Sequence, residues 1–207
     1  MPTQLFAKQQ TINKHPLKIN SADRSIRCKP RNPRLRGIGT ALAQPGDYSL
    51  LAEQLPIESK LIELGDIARP LGAALSRQEL SADIEAELQA IENADLLIVA
   101  APVYRGSYPG LLKHLFDLID LNALINTPVL LAATGGSERH ALVLDHQLRP
   151  LFSFFQALTL PIGVYATEAD FSNYQITSEL LKARIQLAAE RAAPLFGVHP
   201  NNLLKIA

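Results

Sequence analysis

Two Tyr, one Arg, one Ser, two Pro and two Gly crowd into the nine residues Pro102-Val103-Tyr104-Arg105-Gly106-Ser107-Tyr108-Pro109-Gly110. The aromatic rings offer flat faces, and the glycines permit backbone shapes closed to other residues. The prolines stiffen the loop and remove donors. Such a loop suits a flat, partly polar ligand, although an ordinary connection would also account for it. A second candidate is Thr134-Gly135-Gly136-Ser137. Its glycines either end a strand or let backbone N–H groups come close to a ligand. Lys113 and Asp117 stand four residues apart, as in a surface ion pair on a helix. His140 and His146 lack metal-ligand spacing and a neighbouring nucleophile, which favours surface or interface roles.

The flanking patterns say what positions these groups. Asp95-Leu96-Leu97-Ile98-Val99 reads as a buried strand, and Leu111–Leu121 reads as an amphipathic helix. The loop between them therefore sits at the carboxyl end of a strand, where open α/β sheets bind ligands. Further strands are predicted at 59–64, 128–133 and 160–166, and helices from Ser81 to about Ile91, at 139–158 and at 178–196. Strands that are apolar on both faces and alternate with helices imply a parallel sheet covered on both sides.

Apolar residues make up 47% and charged residues 19%, as in a globular protein with a real core. No apolar run reaches the roughly 18 residues of a membrane span, so no membrane role is expected. The lone Cys28 allows no internal disulfide, which fits a cytoplasmic location. Net charge is zero but unevenly spread. Residues 1–36 hold nine Lys/Arg and one acid, Asp23, leaving eleven basic against nineteen acidic residues in the remainder. An acidic body argues against nucleic acid as a partner.

Taken in order, three stretches resemble one family. They are Pro102-Val103-Tyr104-Arg105-Gly106-Ser107-Tyr108 with Gly110, Lys113 and Asp117; Ala133-Thr134-Gly135-Gly136; and Leu142-Val143-Leu144-Asp145-His146-Gln147-Leu148-Arg149-Pro150. The region from Leu51 to Val198 is similar to the NAD(P)H-dependent FMN reductases of flavodoxin-like fold. Its nearest members supply reduced flavin to two-component alkanesulfonate or methanesulfonate monooxygenases. The resemblance implies a three-layer α/β sandwich, FMN and NAD(P)H as cofactors, and hydride transfer from nicotinamide to flavin with no catalytic acid or base. It implies that Pro102, Val103, Tyr104 and Arg105, with Gly106 and Ser107, edge the isoalloxazine. Thr134, Gly135 and Gly136 would meet its pyrimidine side. It also implies that the helix holding the His146 position carries a π-type bulge and packs against other subunits. A homodimer or homotetramer is therefore expected, and the apolar excess at Leu142, Leu144, Leu148, Leu151, Phe152, Phe154 and Phe155 agrees. A flavin-retaining electron carrier and an NAD(P)H quinone or azo reductase on the same fold are the alternatives.

The beginning of the chain departs from this pattern. The family opens with a buried strand and a Gly/Ser-rich loop bearing Arg and Ser for the FMN phosphate. No Val/Ile-rich strand precedes Leu50, and Gly37-Ile38-Gly39-Thr40 is the nearest loop candidate. The chain accordingly divides into an atypical basic segment, 1–50, and a flavodoxin-like reductase domain, 51–207. In this fold the first strand is central, so its omission would open a gap in mid-sheet. Three explanations stand: out-of-frame translation of residues 1–50, which the composition favours; a surrogate strand from 15–29; or a targeting extension.

Overall fold

A computed structural model describes residues 21–27, 57–192 and 195. The main sheet contains β1 (Ser21–Arg27), β2 (Ile57–Glu63), β3 (Leu96–Pro102), β4 (Pro128–Thr134), β5 (Leu158–Thr159) and β6 (Val164–Ala166). All its pairings are parallel, in the order β2-β1-β3-β4, with β5 and β6 both on β4. This is the doubly wound flavodoxin-like order. The central place is held by β1, which runs from Ser21 to Arg27 between β2 and β3 within the 15–29 stretch, so the gap that the sequence foreshadows does not occur. Its residues, Ser-Ala-Asp-Arg-Ser-Ile-Arg, are not those of a buried parallel strand. What seats it is the pair of facing edges on β2 and β3, whose backbone groups need partners. The Gly37–Thr40 loop candidate lies outside the described residues.

The helices are α1 (Ala68–Ala73), α2 (Ala82–Glu92), α3 (Gly110–Asp117), α4 (Arg149–Phe154) and α5 (Glu179–Ala192). They cover both faces of the sheet. One face carries Leu97, Val99, Ala101, Val129, Leu131 and Ala133 with Leu88, Leu112, Leu115 and Phe152 packed above them. The other carries Leu96, Ile98, Ala100, Leu130 and Ala132 against Leu181, Ile185 and Ala188 of α5. β3 is buried along its whole length, as a strand covered on both sides must be. Phe116 meets Phe152 edge-on at 4.8 Å and 81°, tying α3 to α4. Arg77 is held between Glu85 and Glu92 of α2, and Glu92 also accepts the Asp120 N–H, which fastens the end of α3 to α2.

Two predicted elements are shorter or less regular than expected, and each holds a proline. Of the strand expected over 160–166 only Val164–Ala166 forms, as β6; β5 at Leu158–Thr159 lies ahead of it, and Pro161, with no N–H to give the ladder, stands between the two. The helix expected over 139–158 becomes a 3-10 turn (Glu138–His140), a π-turn (Leu144–Leu148) and α4. Pro150, in the first turn of α4, has no N–H for the carbonyl a turn earlier, and Arg149 N–H reaches back to Leu144 O instead. The π-turn stands at the implied position. Ser81 precedes α2 as expected, but its side chain makes no capping bond. The α5 helix starts at Glu179, and the Ser178 hydroxyl accepts the Leu181 N–H at 3.2 Å.

Candidate active site

The parallel register places Pro102 beside Thr134, so the loops that leave β3 and β4 begin side by side. Val103 N–H donates to Thr134 O at 2.7 Å and carries the ladder one residue past the strand ends. The chain then reverses. Tyr104 N–H donates to Ser107 O at 2.7 Å, and Ser107 N–H to Tyr104 O at 3.1 Å. Between them Arg105 has φ 53° and Gly106 φ 87°, the left-handed pair of a two-residue hairpin turn. Glycine takes this shape freely; Arg105 takes it at a cost of about 1–2 kcal/mol. Val103 and Tyr108 pack back on the core, while Tyr104 is 41% exposed at the rim. The Ser107 hydroxyl donates to Gln147 Oε1 at 3.1 Å, so the turn is tied to the π-turn.

The second loop has a different construction. Thr134 is buried, and Gly135 N–H donates to Ala166 O at 3.0 Å, extending the β4–β6 ladder. A Cβ at Gly135 would stand 2.0 Å from Tyr165 Oη and 3.1 Å from Tyr165 Cζ. The space above Gly135 therefore belongs to Tyr165, whose hydroxyl crosses the loop to donate to Ser137 O at 2.7 Å. This corrects the reason for a glycine at 135: it makes room for a tyrosine, and its own N–H is already used. At Gly136 the situation reverses. A Cβ there would meet nothing within 4 Å. Among the described residues, neither the Gly136 nor the Ser137 N–H has an acceptor. Open space beside two available donors fits the polar edge of a planar heterocycle. Burial, and then the charge of Glu138, pushes the Tyr165 phenol above its ordinary value, so it remains a neutral donor at working pH.

Nothing in these loops forms a nucleophile–base pair. Lys113 and Asp117 do form the expected ion pair on α3. Beside it lies a cavity of about 610 Å³, lined by Tyr108, Phe116, Leu121, His146, Gln147 and Phe154 among others. His146 thus faces a surface recess. Leu121, Leu142 and Phe154 remain more than half exposed, and Leu121 and Phe154 line the recess. Tyr165 and Gln147 hold the two loops, and sequence reasoning gave neither a role. The signal for Tyr165 was its place opposite Ala133 in the β4–β6 register, which only the pairing reveals.

Comparison with known proteins identifies the family and the fold. The family model for NADPH-dependent FMN reductases matches residues 36–171, reaching back fifteen residues beyond the Leu51 boundary. The chain is 88% identical over 162 residues to the NADH-dependent FMN reductase SfnF of Pseudomonas fluorescens (strain Pf0-1), covering 77% of this chain and 87% of that one. It is 76% identical over 157 residues to the FMN reductase (NADPH) of Pseudomonas aeruginosa, covering 76% and 84%. Among solved structures, an oxidoreductase from Corynebacterium diphtheriae superposes with a TM-score of 0.77 at 32% identity, over 86% of this chain and 97% of that one. The NADH:FMN oxidoreductase EMOB, in its apo form, gives 0.68 at 25% identity, over 87% and 92%. With two adjoining loops at the carboxyl ends of β3 and β4, a flavodoxin-like sheet and this match along most of its length, the chain belongs to the NADPH-dependent FMN reductase family and is an NAD(P)H:FMN oxidoreductase.

Proposed function

We propose that the flavin ring lies across the two loops and leaves after reduction, so that the protein supplies free reduced FMN to a monooxygenase of sulfonate sulfur assimilation. The observation that carries the reading is the open, donor-bearing face at Gly136, next to the turn formed by Tyr104–Ser107. Pro102, Val103, Tyr104, Arg105, Gly106 and Ser107 edge one side of the ring, and Thr134, Gly135 and Gly136 the other. Gly136 meets the flavin through its N–H, and Gly135 acts through the loop shape it permits. FMN supplies the chemistry when bound, accepting a hydride from the nicotinamide. The protein holds the ring's polar edge, leaves a face open for the nicotinamide and provides no proton-transfer group. The rim position of Tyr104 favours exchange of the ring with solvent over permanent retention.

The apolar surface left on Leu142, Phe154 and Leu121 supports a homodimer or homotetramer built on the π-turn and α4. No helix among the described residues is long and apolar enough to cross a membrane. A reducing cytoplasm fits the lone cysteine. The test is NAD(P)H oxidation with FMN in large excess over enzyme, with cytochrome c as a trap for released flavin. Rapid turnover with cytochrome reduction proportional to free FMN supports release. Turnover that continues at the same rate when only enzyme-bound flavin is present would favour an electron carrier instead.

A further inference from the structure

We propose that Tyr165 is a positioning residue for flavin binding: by bonding Ser137 O across Gly135, it sets the loop so that the Gly136 and Ser137 N–H groups meet the ligand. This rests on the reading that the 134–137 loop contacts the flavin.

The argument begins with where Tyr165 stands. It pairs in register with Ala133, one residue before the end of β6, and its ring packs on the same core face as Leu131 and Ala133. From there the hydroxyl passes over Gly135 closely enough that no side chain fits between them. The 2.7 Å bond ends on Ser137 O, beyond the open Gly136. Both ends of the four-residue loop are thereby fixed: Gly135 N–H is held by Ala166 O, and Ser137 O by Tyr165. The remaining donors, at Gly136 and Ser137, have no acceptor among the described residues. A loop clamped on both sides, with exposed N–H groups between the clamps that no protein group accepts, is held in one shape, so less ordering accompanies binding. Releasing one clamp lets the donors scatter.

The experiment uses Tyr165→Phe, with Gly136→Ala as a control on the underlying reading. FMN affinity is measured by fluorescence quenching, with steady-state KM and kcat and a thermal melt of the same samples. For Tyr165→Phe, the Kd and KM for FMN are expected to rise about tenfold, or about 1.4 kcal/mol. The KM for the nicotinamide and kcat at saturating FMN should stay within about twofold of the starting values. A purely structural role would lower the melting temperature or the active fraction and leave FMN affinity in the folded protein unchanged, and that result overturns the proposal. Gly136→Ala adds a methyl group in open space and should weaken FMN binding without altering the melt. If Gly136→Ala weakens binding and Tyr165→Phe does not, the loop reading survives and the role of Tyr165 fails. If neither variant changes FMN affinity, the loop is not at the flavin and both fall.

Discussion

Adding one methyl group at Gly135 tests the construction of the loop by stability alone. The new Cβ of Gly135→Ala would lie 2.0 Å from Tyr165 Oη. To reach ordinary contact, the hydroxyl must retreat by roughly 1.5 Å. That movement breaks its 2.7 Å bond to Ser137 O. The lost bond is worth about 0.5–1.5 kcal/mol. Swinging the ring off its preferred rotamer costs about as much again. Together these predict a loss of about 1–3 kcal/mol, equivalent to a fall of about 3–10 °C in the Tm of a chain this size. Circular-dichroism melts of the flavin-free protein provide the assay. A Tm within about 1 °C of the parent would refute the reasoning. A second comparison isolates the cause. In a Tyr165→Phe background the closest contact is gone, and the ring carbon at 3.1 Å is the one neighbour left inside ordinary contact distance, Ser137 O lying at 3.6 Å. Gly135→Ala should therefore cost less there than in the parent. Strictly additive losses would show that the hydroxyl is not what excludes a side chain at 135.

Three further outcomes are expected. Burial pulls the Asp170 carboxyl upward, but bonds from the Thr167 N–H, the Ser178 hydroxyl and the Thr167 hydroxyl outweigh it and hold it below its ordinary value. A depressed folded-state pKa gives stability that is present above the unfolded value of 3.8 and is lost as pH falls through the folded one; Asp170→Asn should flatten the acid limb of a Tm-against-pH curve below about pH 4, and an unchanged limb would contradict this. Replacing both exposed side chains in Leu142→Ser/Phe154→Ser should shift sedimentation at micromolar concentration toward the monomer, whereas an unchanged sedimentation coefficient would remove this helix from the interface. Exchanging Ser21–Arg27 for a Val/Ile-rich strand should raise the Tm by several degrees, because β-branched residues favour the strand whose ladder β1 already makes; no gain would mean that this segment is not the central strand in solution.

Strands β3 and β4 were legible because both faces are buried, and an unbroken apolar run such as Leu96–Ala101 has few other readings. The adjacency of the Pro102 and Thr134 loops followed from strand order alone. β1 was hard to read for the opposite reason. Its place is set by the edges of β2 and β3, and its own residues carry no strand signal. The short β6 and the π-turn were marked in the sequence by Pro161 and Pro150, but apolar residues on both sides of each proline concealed the irregularity. The site shows the same division. The glycine pair marked the second loop, yet the space above Gly135 is filled by Tyr165, thirty residues away, and no local pattern encodes that contact.

The central position of β1 also bears on the order in which the sheet can assemble. β1 is made first, yet Ser21 pairs with Ile57 and Asp23 with Leu96. During synthesis it waits for both neighbours, while β3 and β4 can pair across a single helix soon after they emerge. Closing the longest loop in the sheet also requires a strand with little hydrophobic pull of its own. Until it docks, β2 and β3 each present an unpaired parallel edge, the species most prone to mispairing or aggregation. The middle of this sheet is thus its last-closed seam, and yield on refolding should depend more on β1 than on any strand of the apolar core.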